Sequence, residues 1–524
     1  MSKHFHNIKI GIDEDLEEKI SWLVPDFSTY KILKKSVDAR QRHSPHLVYS
    51  LEVFEKNETP PSKQIVLEKI SKAPSQPALI IGAGPAGLFA ALRLLERGIP
   101  VRLFEQGSIA EKRLFKINRF WRYGELNERN NVGFGEGGAG LYSDGKLITR
   151  IKSPYIPYVL KRLVDFGAPE EILYLSNPHV GSDKIRRLIP KLRQHIIDQG
   201  GLLHYDTKIC EFLFDSHNQL TGVKTENSEL YHGSQLILAC GHSADDIFYH
   251  LSELGVFMEG KSFAMGLRIE HSQKIINQIQ YREFSEHPKL GAANYRLAHH
   301  DKKTETGVYS FCMCPGGYVL SSGTKSGQLV TNGMSNFNRS SKYANAAIVV
   351  SIDHKKSFGE KNIFAGLELR NHLEKQAFDV VQKAGGTKQL PKQKVIDFIE
   401  KRLGSVDKGS TPSGSVPARL DLLFNSQFHQ YMQQALEDFD RKMKGFINPE
   451  AQFYGVESRT SCPLRITRNK ETLESLSHKG LYPTGEGAGY AGGITSAACD
   501  GILVADKIYE TLSSQILKVD VHDE

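Results

Sequence analysis

The spacing of apolar residues changes twice between residues 77 and 105. The apolar run PALII is followed by GAGPAG, then by LFAALRLLERG with helical spacing, then by IPVRLFE, which ends in an acid. Short apolar runs bounded by turns are typical of buried strands, and a spacing of three to four is typical of a helix. The pattern therefore predicts a strand–helix–strand unit with a glycine-rich first turn.

Residues 1–73 form a separate pattern. NIKIGI and HLVYSLEVF alternate like strands, residues 16–23 favour a helix, and the Pro-bearing stretch EKNETPPSKQ indicates a connection. A basic run contains Lys34, Lys35, Arg40 and Arg42. Such a run is more typical of a solvated face than of an RNA- or partner-binding patch. We therefore predict a small α/β module.

Composition limits the class of protein. The 524 residues are 40% hydrophobic and 24% charged, which is ordinary for a globular protein of about three domains. A net charge of +7 is modest for this length and does not predict nucleic-acid binding. The N-terminus has no apolar secretory region, and Pro85 interrupts the most apolar stretch, residues 77–92. Six scattered cysteines suit a reducing compartment. We therefore expect a cytoplasmic protein without a membrane span.

The turn between the first strand and helix carries the strongest chemical signal. Gly82 permits a tight turn, Gly84 lets the backbone approach a pyrophosphate, and Gly87 lets the helix pack on the strand. Pro85 and Ala86 complete this turn. The N–H groups at the start of the helix face the phosphates. Glu105 follows Gly82 by 23 positions, where a carboxylate accepts hydrogen bonds from ribose hydroxyls. The unit therefore predicts a dinucleotide site.

G-x-G-x-x-G occurs twice more, starting at Gly135 and Gly487. The copy at Gly135 lies between NERNNVGF and LYSDGKL, which have neither strand nor helix character, so it predicts a loop. The copy at Gly487 lies between the strand-like GLYPTGE and a helix. The 524-residue sequence ends before a completing strand and acid. This segment is predicted to bring Glu486 and a helix N-terminus to a ligand held elsewhere.

Longer motifs resemble a known class. GAGPAG with Glu105, LILACGHSA and GLYPTGEGAGYAGG resemble large two-domain FAD oxidoreductases. FGEGGAGLYSDGKL, YSFCMCPGG, GVESRTSCPLRI and GEGAGYAGG resemble, more narrowly, bacterial FAD-dependent dehydrogenases of unassigned substrate. The resemblance implies an α/β fold with a discontinuous Rossmann-like FAD-binding domain and an inserted α+β cap. The implied segments are the module 1–73, FAD-binding residues 74–262, the substrate or cap domain 263–444 and a return segment 445–524.

The resemblance also implies contacts to one FAD from three places. The glycine turn would approach the pyrophosphate, Glu105 the adenosine ribose and residues near Ile209 the adenine. Glu486 would bond a ribityl hydroxyl or a pyrophosphate-bound water, and the amides after it would face the flavin. The expected cofactor-binding residues are Gly82, Gly84, Pro85, Ala86, Gly87, Glu105, Ile209, Gly241, Gly485, Glu486, Gly492, Gly493 and Ile494.

The chain departs from the disulfide-reductase branch in two respects. It shows no second complete nucleotide-binding unit, so any NAD(P)H is expected to bind only transiently as a donor. It also lacks CxxxxC after the first helix. The expected reaction is hydride transfer between a small organic substrate and the flavin. A flavin monooxygenase is one alternative. The other is a binding protein with structural FAD, whose residues 1–73 recruit RNA or another protein.

Catalytic candidates come from motif position. Cys312 and Cys314 share a face at strand spacing and form either a redox pair or, as the favoured interpretation, two packed thiols. Lys146 follows the glycine loop and would stabilise negative charge on the flavin, or is a surface lysine. Arg459 would bind a substrate carboxylate, or pairs with an acid such as Glu457. His242 follows the turn that returns to FAD. Metal-ligand spacing is absent from the sequence, so no metal is expected.

Overall fold

The structure, a computed structural model, describes residues 2–40, 44–56, 58 and 67–522, with side chains described through residue 516. Arg42 and most of the predicted connection at residues 55–64 lie outside the described residues. The chain forms three packed units: an N-terminal module, a parallel-sheet domain built from two separated segments, which is the predicted FAD-binding domain, and a cap inserted between those segments.

The N-terminal module is a three-stranded antiparallel sheet with one helix. The strand order is β1-β3-β2, and the predicted helix over residues 16–23 is confirmed. The Asp15 carboxylate caps this helix by accepting hydrogen bonds from the amides of Glu17 and Glu18. The elements are β1 Lys3–Gly11, α1 Leu16–Leu23, β2 Phe27–Asp38 and β3 His46–Glu55.

The FAD-binding domain contains a five-stranded parallel sheet in the order β22-β10-β4-β5-β6. Its first segment comprises β4 Ala78–Ile81, α2 Pro85–Glu96, β5 Val101–Phe104, α3 Ala110–Tyr123, α4 Ile156–Asp165, α5 Gly181–Asp198, β6 Leu202–His204, β7 Ile209–Phe214, β8 Leu220–Thr225, β9 Leu230–His232, β10 Leu236–Leu238, α6 Asp245–Glu253 and β11 Met258–Gly260. The predicted strand–helix–strand unit is therefore confirmed as β4, α2 and β5.

Both faces of the parallel sheet are covered, which explains its continuous apolar strands. On β4, Ile80 points toward helices α2, α3 and α5, while Leu79 and Ile81 point toward the β7–β8–β9 meander and α6. Residues 202–214 do not form a single strand, although their sequence resembles one; they form β6 and β7. β6 pairs with β5 in the parallel sheet, whereas β7, which begins at Ile209, pairs with β8 in the antiparallel meander. The chain therefore changes sheets between β6 and β7.

The cap is built on a seven-stranded sheet in the order β13-β14-β17-β12-β20-β18-β19, with the hairpin β15–β16 beside it. Helices α9 and α11 pack on one face, over a core that includes Leu267, Ile348 and Phe439. The elements are β12 Phe263–Ser272, α7 Gln273–Tyr281, β13 Ala298–Asp301, β14 Thr306–Cys314, β15 Gly317–Ser321, β16 Thr331–Ser335, β17 Tyr343–Ile352, α8 His354–Phe358, α9 Ala365–Lys383, β18 Leu390–Lys394, α10 Val395–Ile399, β19 Ser415–Pro417, α11 Ser426–Lys442 and β20 Gln452–Glu457.

The chain then returns to the parallel sheet. The last elements are β21 Leu464–Ile466, β22 Leu481–Pro483 and α12 Ile494–His522. β22 is an edge strand beside β10, and α12 packs on α2 so closely that a side chain at Gly501 would clash with the carbonyl oxygen of Ala86. The boundaries at residues 73, 262 and 444 stay predictions. In the part of the chain that the structure describes, none of the helices is long and apolar enough to cross a membrane.

Candidate functional site

The candidate site lies where β4, β10 and β22 end on the same edge of the parallel sheet. Ligands of open α/β sheets bind at this edge, because the loops that follow the strands diverge there. Around it, Gly241 and Gly492 have no atom within 4 Å of the position a Cβ would occupy. The corresponding position at Gly84 is 3.9 Å from the Cα of Gly138. These open positions form a backbone-lined cradle that fits a long polar cofactor.

The glycines of the first turn differ in what surrounds them. Gly84 is the N-cap of α2 and faces the cradle, and Pro85 starts the helix. A side chain at Gly87 would instead clash with the carbonyl oxygen of Gly82. Gly87 therefore allows the helix to pack closely on the glycine turn, whereas Gly84 leaves space for a ligand in the cradle. The sequence predicts these two roles.

Glu105 lies just after β5 and is buried. One of its carboxylate oxygens accepts a hydrogen bond from the Ala83 amide at 2.9 Å. The other oxygen accepts from the amides of Gly107 at 2.9 Å and Gly135 at 3.0 Å. The carboxylate thus ties the glycine turn to the glycine-rich loop. The expected contact between Glu105 and a ribose stays a prediction.

A cavity adjoins this carboxylate. Gly82, Glu105 and Ile209, three of the expected cofactor-binding residues, line its wall. Cys240, immediately before Gly241, and Lys208 also line it. Apolar walls with a few convergent polar groups are typical of a nucleotide-base pocket. The cavity therefore fits the adenosine half of a dinucleotide.

Glu486 projects from the loop after β22. The carboxylate is half-buried, and no hydrogen bond from the described residues reaches it. Burial raises the pKa of Glu486 to about 7, and nearby Lys261 opposes this shift. Burial also lowers the pKa of Lys261. An unsatisfied half-buried carboxyl is costly unless a ligand supplies its partners, so the residue fits a hydroxyl-rich cofactor.

The glycine-rich loop is held by an arginine that the sequence did not single out. The fully buried Arg113 on α3 donates to the carbonyl oxygens of Asn131, Val132, Glu136 and Gly138 at distances from 2.7 to 2.9 Å. Burial lowers the pKa of Arg113 to about 10. Because the contacts link a helix to a loop far along the chain, no local pattern predicts them.

The loop is packed against both flavin-binding segments. A side chain at Gly138 would lie 3.1 Å from the Cα of Gly84, and one at Gly140 would lie 3.0 Å from Ile494. The Thr495 hydroxyl donates to the carbonyl oxygen of Leu147 at 2.7 Å. The N-terminus of α12 is therefore fixed beside the loop. Its dipole favours negative charge in the space that Gly492 leaves open.

The thiols lie next to this helix end. The Lys146 ammonium donates to the carbonyl oxygen of Met313, between Cys312 and Cys314. Lys146 is thus a bridge between loop and cap, not a fully solvated surface lysine. The expected regular strand spacing is wrong, because the β14–β17 register shifts between Phe311 and Cys314. Cys312 is half-buried and Cys314 is fully buried.

Arg459 is paired, but not with the expected acid. It makes a bidentate ion pair with Glu374, at 2.9 and 2.7 Å, while Glu457 pairs with Arg268. The remaining nitrogen of Arg459 donates to the hydroxyls of Ser243 and Thr324. The suggested pair between Arg459 and Glu457 is therefore wrong, because each of the two residues pairs with a different partner.

His242 faces the same cationic network. Burial, together with the charges of Arg459 and Arg370, lowers its pKa to about 3. The ring nitrogen Nδ1 lies 3.0 Å from the Ser243 hydroxyl. At physiological pH the imidazole is therefore neutral. It can form hydrogen bonds, but it is not a cationic acid that could protonate a substrate. Among the described residues, no group of three or more metal-ligating side chains occurs.

The parallel sheet, the open cradle at its edge and the return segment define an FAD-binding flavoprotein. A sequence profile described as "FAD-dependent protein, C-terminal domain-like" matches residues 262–460. An uncharacterized protein from Clostridium beijerinckii is 38% identical over 536 residues, covering 97% of this chain and 99% of the relative. The chain belongs to this family of FAD-dependent proteins, and FAD is its cofactor.

Two solved structures match much of the chain, but only at low similarity. CtdE in complex with FAD is 11% identical, with a TM-score of 0.30 over 86% of this chain and 92% of that chain. L-Amino acid deaminase from Proteus myxofaciens in complex with anthranilate is 12% identical, with a TM-score of 0.34 over 85% and 93%.

Proposed function

We propose that this protein is an FAD-dependent dehydrogenase or reductase that transfers a hydride between a small organic substrate and the flavin. The observation that carries the proposal is the N-terminus of α12, which the Thr495 hydroxyl fixes beside the glycine-rich loop and which adjoins the open position at Gly492. A flavin ring gains negative charge when it takes up a hydride, and a helix N-terminus stabilises such charge.

The chain's own groups have definable roles. Bound FAD supplies an acceptor or donor for two electrons and a proton. The amides at the start of α12 would hold the negative charge of the reduced ring, because a helix N-terminus stabilises anions. Glu486 would accept hydrogen bonds from cofactor hydroxyls. Arg113 and Glu105 would fix the loop and turn on which these contacts depend.

The donor side is restricted by topology. Within the described residues, one strand–helix–strand unit with a dinucleotide turn is present, and FAD would occupy it. NAD(P)H, if it is the donor, would bind transiently at the cap and compete with substrate. We therefore expect ping-pong kinetics with NAD(P)H, in which reduced flavin persists between two half-reactions. Intersecting initial-rate patterns would instead indicate a second nucleotide site.

The test is anaerobic stopped-flow spectroscopy of the flavin-loaded protein, after heat release has identified the bound flavin. NADH, NADPH and a panel of amino acids and hydroxy acids serve as donors, with dithionite as the chemical control. We expect fast reduction by at least one donor and slow reoxidation by oxygen. A hydroperoxyflavin spectrum on adding oxygen would favour a monooxygenase. Release of FMN, or reduction by dithionite alone, would contradict the proposal.

A further inference from the structure

The segment Cys312–Met313–Cys314 departs from regular strand geometry. Cys312 has φ 44°, in the left-handed region that residues other than glycine adopt only rarely. The departure coincides with the register shift between β14 and β17 after Phe311. Strained backbone conformations are concentrated at functional sites, where surrounding contacts hold them in place. Here the conformation turns Cys312 out of the sheet ladder while Cys314 stays buried.

Surrounding contacts tie this segment to the flavin end of the site. Lys146 donates to the carbonyl oxygen of Met313, and the next residue, Leu147, accepts the Thr495 hydroxyl at 2.7 Å. Thr495 is the second residue of α12. The Lys146 side chain therefore links the backbone between the two cysteines to the loop that contacts the N-terminus of α12.

Charged groups act on the Cys312 thiol, chiefly Lys146, Arg268 and Asp144. The Cys314 thiol donates a hydrogen bond to the backbone carbonyl oxygen of Cys312 at 3.3 Å. The neighbouring Cys314 thiol, Lys146 and Arg268 lower the pKa of Cys312 to about 6. Burial, Asp144 and Glu486 act in the opposite direction. The neighbouring Cys312 thiol and burial raise the pKa of Cys314. The two opposite shifts favour the thiolate on Cys312 and the neutral thiol on Cys314.

The Asp144 carboxylate does not neutralise the Lys146 ammonium. It forms an ion pair with Arg339 at 2.6 Å and accepts the Ser335 hydroxyl, so its charge is already compensated. Its distance to the Lys146 ammonium is 4.0 Å. Lys146 therefore keeps positive charge available for the Cys312 sulfur.

We propose that Cys312 and Cys314 form a dithiol that exchanges two electrons with the flavin, which rests on the proposed function. In the forward direction, the Cys312 thiolate and the Cys314 thiol form a sulfur–sulfur bond and release two electrons and one proton. The flavin takes up both electrons and that proton, so no further oxidant is needed. In reverse, reduced flavin restores thiolate and thiol. The pair stores the electrons of one substrate turnover.

The first experiment is an anaerobic dithionite titration of the oxidised, FAD-loaded, full-length protein. We expect about four electrons per flavin, two for FAD and two for the disulfide. The Cys312→Ser/Cys314→Ser variant should take up about two. Cys210→Ser is the matched control, because Cys210 is exposed and remote from the pair; it should retain the wild-type value.

Maleimide labelling with mass spectrometry gives a second readout that needs no variant. With labelling carried out after denaturation, so that burial gives no protection, residues 312 and 314 should be protected in the oxidised protein and labelled after reduction. Labelling of both before reduction, with two-electron uptake, would overturn the proposal and leave a packing role. Four-electron uptake without flavin reduction by any organic donor would retain the dithiol and reject the proposed substrate reaction.

The pH dependence tests the environment of Cys312. The pKa of this group is lowered, so thiolate reactivity should persist at neutral pH and fall as the pH drops through about 6. Iodoacetamide alkylation of the reduced protein measures this. Lys146→Met should move the midpoint upward, whereas the exposed-site control Lys161→Met should not. An unchanged midpoint in Lys146→Met would contradict the assigned role of Lys146.

Discussion

At the scale of single residues, two glycines three positions apart have different roles, one in packing and one in leaving space for the cofactor. Gly87 faces the carbonyl oxygen of Gly82 within the strand–helix–strand unit, whereas Gly84 faces the cradle. Gly84 has φ −78° and ψ −177°, a conformation open to any residue. A side chain at Gly84 therefore costs little in the fold itself but occupies cofactor space.

We predict that Gly84→Val retains less than about a tenth of the wild-type flavin, because its side chain fills the pyrophosphate position. The melting temperature of its apoprotein should stay close to that of wild-type apoprotein. The matched variant Gly87→Val should lose about 1–3 kcal/mol of stability through overpacking. Flavin absorbance and thermal melting of apoproteins, compared without bound FAD, provide the measurements. Full flavin content in Gly84→Val would show that the cofactor does not approach this turn.

At the scale of elements, the glycine-rich loop owes its shape to helix α3. Arg113 satisfies carbonyl oxygens that would otherwise be buried without partners. The loop in turn contacts Gly84 and Ile494, so its position determines the width of the cradle. Arginine suits this role because its planar group offers five donors in a fixed geometry.

Replacing Arg113 by lysine should destabilise the apoprotein by about 3 kcal/mol, because lysine supplies fewer donors and leaves buried carbonyls unpaired. We also expect weaker FAD retention and faster proteolysis within residues 131–138. Arg119→Lys is the matched control on the same helix, since Arg119 is exposed and pairs with Glu125. Equal stability of both variants would indicate that the loop holds its shape without Arg113.

At the scale of the whole molecule, the N-terminal module contacts both larger units. Leu290 of the cap is buried in the module core with Ile10, Ile20 and Leu51. The amide of Lys35 on β2 donates to the carbonyl oxygen of Tyr174 at 2.8 Å, which extends the sheet edge toward the FAD-binding domain. The N-terminal module therefore packs on both the cap and the FAD-binding domain.

Leu290→Glu should release the module, because it places an unpaired charge in an apolar interface at a cost of about 2–4 kcal/mol. We expect a lower melting temperature and proteolytic release of a fragment ending before residue 67, with FAD retained. Leu422→Glu at an exposed position, 69% accessible, is the control. Loss of FAD in Leu290→Glu would show that the module supports the cofactor site itself.

Local patterns predicted the parts of this protein that depend on neighbours in sequence. The period change around residues 77–105 determined the β4–α2–β5 unit, and the apolar spacing of residues 16–23 determined α1. The sequence on either side of the motif at Gly135 has neither strand nor helix character. It correctly predicted a loop. These features follow from backbone sterics and short-range burial, which are encoded within a dozen residues.

Tertiary structure alone decided which distant groups meet. Arg459 pairs with Glu374 on helix α9 rather than with Glu457, and Lys261 lies near Glu486, because the fold brings segments that are distant in sequence together. The register shift at Cys312 arises from pairing with β17, so the alternation of β14 could not predict it. Sequence thus determined the glycine turn, the return segment and the cofactor class. Long-range packing determined the charge environment of the site, since electrostatic interactions depend on distance in space.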